Sequence, residues 1–271
     1  MVETIKFSPL IESARCDDKS LMDAAVAEAK DLIAAGADVN EVDSEGRTAL
    51  IHTAIKGFSG VAKVLLKAGA DPNIKDGKGY TALAHVVICR SNQRARTYLK
   101  ILIKQKNLDI NAKNYAGETG LMLCCKRSFF SIAYSGKGKP DLAAILLAAG
   151  ANPSLSDKKG LTGLMYAARD GNLKVVEILL EHDKKQNLDF CDFEGKTALM
   201  HAVKGGHIEV AERLLEAGAS TDLKSTDGKT ICDHAHKNIS RHLKSLVEKC
   251  HLEKVERQFG VKSFTKPKNR L

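Results

Sequence analysis

Apolar positions along the chain fall into short runs with helical spacing, arranged in pairs and separated by polar, glycine-rich turns. The stretch Val61 to Ala68 predicts the second helix of such a pair. It follows an apolar, alanine-rich first helix that a threonine side chain can cap. Gly69 closes the second helix, because glycine accepts a left-handed backbone without steric cost, and Pro72 prevents the helix from continuing. Asp76-Gly77-Lys78-Gly79 then supplies the chemistry of a tight reversal before the next threonine. A pair of helices this short cannot bury its apolar face alone, so neighbouring pairs must stack.

The pairing repeats along the chain. The phrase Gly-x-Thr-x-Leu begins at Gly46, Gly79, Gly117, Gly160 and Gly195, with a degenerate copy at Gly228. The glycines are 33, 38, 43, 35 and 33 residues apart, so a unit of about 33 is lengthened twice in the middle. A second phrase keeps step with the first, as in Leu65-Leu66-Lys67-Ala68-Gly69-Ala70-Asp71-Pro72-Asn73, Leu146 to Pro153 and Leu214 to Ala219. The extra residues of the two long units are expected between their first and second helices.

Together the two phrases resemble the ankyrin-repeat family, which pairs Gly-x-Thr-Pro-Leu-His-x-Ala-Ala with a Leu-Leu-x-x-Gly-Ala-Asp-x-Asn phrase. The resemblance covers about residues 8 to 235 and gives about seven repeats, the first read from Ser8-Pro9-Leu10 and Leu32 to Asn40. It departs from the family at the proline, replaced by Ala or Gly, and at the histidine, replaced by Ile51, Ala84, Met122, Met165 or Met200. The resemblance implies an all-α repeat fold, an ankyrin solenoid of helix-turn-helix units with β-hairpin turns. It divides the chain into an N-terminal capping repeat (1–40), repeats two to six (41–225), a degenerate C-terminal repeat with a capping helix (226–259) and a basic tail (260–271).

Composition narrows the function. With 44% hydrophobic and 28% charged residues the chain has enough apolar matter to fold. Aromatics are 5% and Trp is absent, which suits a core of closely packed aliphatic helices. The longest stretch without charge, Leu142 to Ser156, is interrupted by Gly150, Asn152 and Pro153 and is too short to span a bilayer. Charged residues in the first twenty positions leave no room for a signal peptide. Seven scattered cysteines without a Cys-x-x-Cys pair fit free thiols in a reducing compartment, cytoplasmic or nuclear. Lys and Arg number 42 against 33 Asp and Glu, a net charge of +9.

The resemblance implies that partner contacts come from the hairpin tips and the ends of the first helices, on the concave side. Carried onto this sequence, those positions supply Arg47, Lys56, Lys78, Tyr80, Lys126, Arg127, Lys158, Lys159, Arg169, Lys196 and Lys204. A basic surface of this kind attracts an acidic peptide or an acidic protein face. A second candidate surface is a loop ridge formed by the two lengthened units, with Arg90, Arg94 and Arg96 beside Phe129, Phe130, Tyr134, Lys137 and Lys139. Basic groups and rings without an acid suit phosphate or anionic lipid. The segment 238–271 adds +6 to the charge, its first part reading as a capping helix and its last as a solvated tail.

Other motifs carry less. Cys124-Cys125 fills the small-residue slot held by Ala167-Ala168 elsewhere, and Asp233-His234-Ala235-His236 lacks a second ligand pair. His52, His85 and His201 share one repeat phase, and Asn40, Asn73 and Asn111 share another. The sequence thus predicts a monomeric, non-enzymatic adaptor without cofactor or metal, binding an acidic protein or peptide on its concave face. The alternatives are an electrostatic binder of anionic lipid, with nucleic acid the weaker option, and, by family analogy, a bacterial effector acting on a host protein in the host cytosol.

Overall fold

The computed structural model describes residues 8–14, 22–89, 91–126, 139–182, 188–234 and 245. Arg90, Arg127, Phe129, Phe130, Tyr134, Lys137, the predicted capping helix and the basic tail lie outside the described residues. The helices come in pairs: α1 (Pro9–Ala14) with α2 (Met22–Ala34), α3 (Ala49–Lys56) with α4 (Ser59–Lys67), and α5 (Ala82–Ile88) with α6 (Asn92–Leu102). They continue as α7 (Gly120–Cys125) with α8 (Pro140–Ala148), α9 (Gly163–Arg169) with α10 (Leu173–His182), and α11 (Ala198–Gly205) with α12 (Ile208–Glu216). The short α13 (Ile231–His234) begins a further unit.

Odd-numbered helices pack on one another in chain order to form an inner row, and even-numbered helices from α2 to α12 form an outer row. This is the expected solenoid. An inner helix has neighbours on both sides as well as its own partner, so it is buried nearly all round: every residue from Ala49 to Ala54 and from Gly163 to Ala168 is buried. An outer helix buries one stripe, such as Val61, Ala62, Leu65 and Leu66 on α4. The result is one continuous aliphatic core from Leu10 to Ile231.

The repeated threonine does what its position predicts. Thr48, Thr81, Thr119, Thr162 and Thr197 each stand in extended backbone before an inner helix. Their hydroxyls accept the N–H of Ile51, Ala84, Met122, Met165 and Met200, three residues on. At the other end of the unit Gly69 takes φ +92°, which lets Ala70 N–H donate to the Leu65 carbonyl at 3.0 Å and Gly69 N–H to that of Leu66 at 3.3 Å. That pair of bonds satisfies carbonyls a helix end would otherwise leave open.

The hairpins contribute little strand. Among the described residues the β pairing consists of the isolated bridges Val42–Thr48, Lys113–Thr119 and Ser156–Thr162. One expectation needs correcting. Arg94 and Arg96 do not stand on a loop: α6 begins 13 residues after Gly79, as α4 does after Gly46, and of the five extra residues of that unit two lengthen α6, which has 11 residues where α4 has 9, and three follow it. Ser91 caps the longer helix by accepting the N–H of Arg94.

Candidate interaction surface

The five hairpins from Asp43 to Lys196 are each built around one carboxylate or amide. Asp43 Oδ1 accepts the N–H of Glu45 at 2.8 Å and of Arg47 at 2.9 Å. Asp76, Asn114, Asp157 and Asp192 repeat the arrangement with the residues two and four positions on. The second oxygen reaches the inner helix, where Asp43, Asp76 and Asp192 meet Nε2 of His52, His85 and His201, each at 2.8 Å. In the fifth unit Tyr166 takes the place of the histidine and donates to Asp157 Oδ2 at 2.5 Å. The three in-phase histidines thus bond to carboxylates nine residues earlier, a spacing already present in the sequence.

Successive hairpins are joined through their tips. The N–H of Gly77 donates to Glu45 O at 2.7 Å, Tyr115 to Lys78 O at 3.4 Å and Lys158 to Ala116 O at 3.1 Å. Phe193 donates to Lys159 O at 3.1 Å and Thr226 to Glu194 O at 2.9 Å. A second series lies at the opposite end of the loops, where Asn40, Asn73 and Asn111 Oδ1 accept the N–H of Asp71, Asp109 and Asn152. These bonds hold the tips in register, which is the structural use of the repeated asparagines.

The candidate basic residues divide into two groups. Arg47 pairs with Asp43 and Glu45, Arg169 with Asp170, Lys126 with Glu118, and Lys196 with Glu194. Lys126 and Arg169 also lie over the ring of Tyr166, 4.5 and 4.8 Å from its centre. Lys56 ends α3 and Lys204 lies near the end of α11, the latter exposed. Tyr80 is half-buried against His85, with ring centres 5.6 Å apart. Lys78, Lys158 and Lys159 stand exposed at the tips and form no salt bridge among the described residues.

The described residues of the loop ridge are engaged within the fold. Arg94 donates to the Lys56 carbonyl at 3.2 Å, closing the end of α3, and Arg96 pairs with Asp141 at 2.9 Å. Lys139 turns its ammonium onto the carbonyls of Val87 and Cys89 at the end of α5, and burial pulls its pKa below the usual lysine value. Burial also pushes the Cys124 thiol up to about 12 and raises Cys125, which keeps both as neutral core groups. Asp233 accepts from Thr230, and His234 meets the Ser225 hydroxyl at 3.0 Å.

With this geometry in view, the comparisons decide the family. Residues 21–114 and 129–227 match the family described as ankyrin repeats (3 copies). The chain belongs to the ankyrin-repeat family. It is 37% identical over 75 residues to ankyrin repeat protein L92 of Acanthamoeba polyphaga mimivirus, a match covering 28% of this chain and 16% of that protein. In fold it is similar to the ankyrin repeat domain of Bcl-3, a member of the IkappaB protein family, with TM-score 0.72 and 23% identity over 88% of this chain and 98% of the other. It is also similar to the human ASB11 ankyrin repeat domain, with TM-score 0.64 and 24% identity over 89% and 98%. Ankyrin repeats generally mediate protein–protein interaction and are typically not enzymes. Among the described residues no helix is long and apolar enough to cross a membrane.

The ankyrin hairpins also make stability depend on pH. Burial lowers the pKa of His85 and of His201, an effect that Asp76 and Asp192 oppose and that Arg47 with Lys78, and Arg169 with Lys196, reinforce. A histidine that binds protons less readily when folded adds stability above its unfolded pKa and loses it as pH falls through the lower folded value. Burial would raise Asp43, but the N–H of Arg47, the His52 ring and the N–H of Glu45 outweigh it and hold the carboxyl at about 2. Its contribution is therefore present above the ordinary carboxylate range and lost as pH falls through about 2. The melting temperature should fall between about pH 7.5 and about pH 5.5, and the paired variant His85→Gln/His201→Gln should flatten that slope. An unchanged slope in the variant would assign the titration elsewhere.

Proposed function

We propose that this ankyrin stack is a binding module that holds an acidic segment of a partner protein along its hairpin side. The observation that supports the reading is the set of exposed tip lysines, Lys78, Lys158 and Lys159, which lack salt bridges among the described residues. Arg47, Lys126, Arg169 and Lys196 contribute less field, since acids of the stack already face them. Uncompensated cations on rigid tips two units apart attract a carboxylate-rich chain and speed its encounter. The loop ridge is the weaker alternative for anionic lipid, because Arg94 and Lys139 are bonded to backbone carbonyls within the fold and Arg96 is paired with Asp141 at the surface.

The test is fluorescence anisotropy with a labelled glutamate-rich peptide, compared with phosphoinositide vesicles and duplex DNA at physiological salt. The peptide should bind, and Lys78→Glu/Lys158→Glu/Lys159→Glu should weaken it about tenfold, roughly 1.4 kcal/mol, with the melting temperature unchanged. Binding to vesicles or DNA without binding to the peptide would overturn the reading. Association driven by phosphates would also fall steeply with added salt.

A further inference from the structure

The tips next to those lysines carry apolar groups that the charge argument leaves unexplained. Tyr115 is 60% exposed and Phe193 is 75% exposed, the two most open large apolar side chains among the described residues. They stand on hairpins two units apart, and the hairpin between them carries Lys158 and Lys159. Neither ring is loosely placed. Tyr115 rests against Gly79 so closely that a Cβ there would come within 2.8 Å of the ring, and Phe193 rests against Gly160, where the figure is 2.9 Å. The backbone N–H of each residue is bonded to a carbonyl of the preceding tip.

Rigid, exposed rings with low entropy to lose are what a binding surface uses as anchors. Packed helices lie about 8–10 Å apart, so tips two units apart are separated by about 16–20 Å. An extended peptide advances about 3.3 Å per residue and spans that distance in about six residues. Side chains alternate along it, so positions i, i+2, i+4 and i+6 share a face. The end positions of that face would meet Tyr115 and Phe193, and the middle two would meet Lys158 and Lys159.

Resting on the acidic-partner reading, we propose that the partner segment is an extended strand. Its apolar residues at i and i+6 engage Tyr115 and Phe193, and its Asp or Glu residues at i+2 and i+4 engage Lys158 and Lys159. The charges set the partner class, and the spacing of the rings sets the register. The exposed rings lie outside the core, so removing them leaves the stack intact.

The experiment uses the full chain and two synthetic peptides of one composition. The first has Phe at i and i+6 with Glu at i+2 and i+4, and the second carries the same residues in scrambled order. The patterned peptide should bind about tenfold tighter. Tyr115→Ser and Phe193→Ser should each remove that advantage with thermal unfolding unchanged, and Lys158→Glu/Lys159→Glu should weaken both peptides. Equal binding of the two peptides, or a patterned peptide indifferent to both ring variants, would overturn the inference. If both peptides still respond to the lysine reversal, the acidic-partner reading survives that failure. If neither peptide binds, both readings fall.

Discussion

Replacing Tyr98 by alanine is expected to lower the free energy of unfolding by about 3–5 kcal/mol, the range for removing a fully buried aromatic side chain. Tyr98 is 0% exposed and comes from the outer helix α6, yet its hydroxyl reaches the inner helix α3 of the preceding unit. There it donates to the Leu50 carbonyl at 2.9 Å and meets the Thr53 hydroxyl at 2.6 Å. The ring fills the space between two units, and its polar end is satisfied across the same boundary. Tyr98→Phe separates the two contributions: it keeps the ring and loses only the hydroxyl bonds. Leu50 O retains the Thr53 hydroxyl as a donor at 2.8 Å, so the cost should be about 1 kcal/mol. Urea unfolding of both variants gives the comparison. A similar loss in both would place the energy in the hydrogen bonds and contradict the packing argument.

Asp157→Ala is expected to cost nearly as much, about 3–4 kcal/mol, although it removes almost no apolar surface. The buried Asp157 carboxylate accepts the N–H of Lys159 at 2.8 Å and of Leu161 at 2.9 Å, and the hydroxyl of Tyr166 at 2.5 Å. Alanine leaves the two backbone donors without their acceptor and leaves the Tyr166 hydroxyl, 3% exposed, with only the 3.4 Å contact to Glu118 Oε1. Burial and the hydrogen bond to Asp157 both push the Tyr166 hydroxyl pKa up, so it stays a proton donor at every working pH. Asp157→Asn should cost much less, about 1 kcal/mol, because one oxygen still serves the two backbone groups. Asn114 already works that way one unit earlier, accepting from Ala116 and Glu118 at 3.0 and 2.9 Å. Hydrogen exchange at Lys159 and Leu161 reads the effect directly, and protection lost equally in both variants would refute it. The loss should also reach the interaction surface, since Tyr166 carries Lys126 and Arg169 over its ring.

Much of the architecture was legible because it depends on local chemistry that recurs. A threonine before an apolar run and a glycine after one have the same meaning in every unit, and Thr48, Thr119 and Thr197 behave alike. Register between units was legible too, since helix pairs with one exposed apolar side can only stack. The charged residues were harder to read. Lys126 and Lys158 look equivalent in the sequence, but Lys126 has Glu118 and Tyr166 against it while Lys158 stands free of salt bridges among the described residues. Lys139 looked like a surface cation and instead closes the end of α5. The Asp-to-His spacing of nine residues was a usable signal for the hairpin network, present in three units.

The amino-acid sequence by itself determined that this protein is a stack of helix pairs, where most of the inner helices begin, and that its surplus charge is positive. Those properties follow from propensity, capping and periodicity, which act within a few residues of where they are written. Only the tertiary structure decided which cations remain available, that the extra residues of the third unit lengthen α6 and the turn after it, and that Tyr115 and Phe193 are held open on tips two units apart. The physical reason is distance along the chain. Whether the end of α5 meets an ammonium, or α3 meets a buried hydroxyl, depends on groups about 50 residues away that stacking brings alongside, as with Lys139 and Val87 or Tyr98 and Leu50.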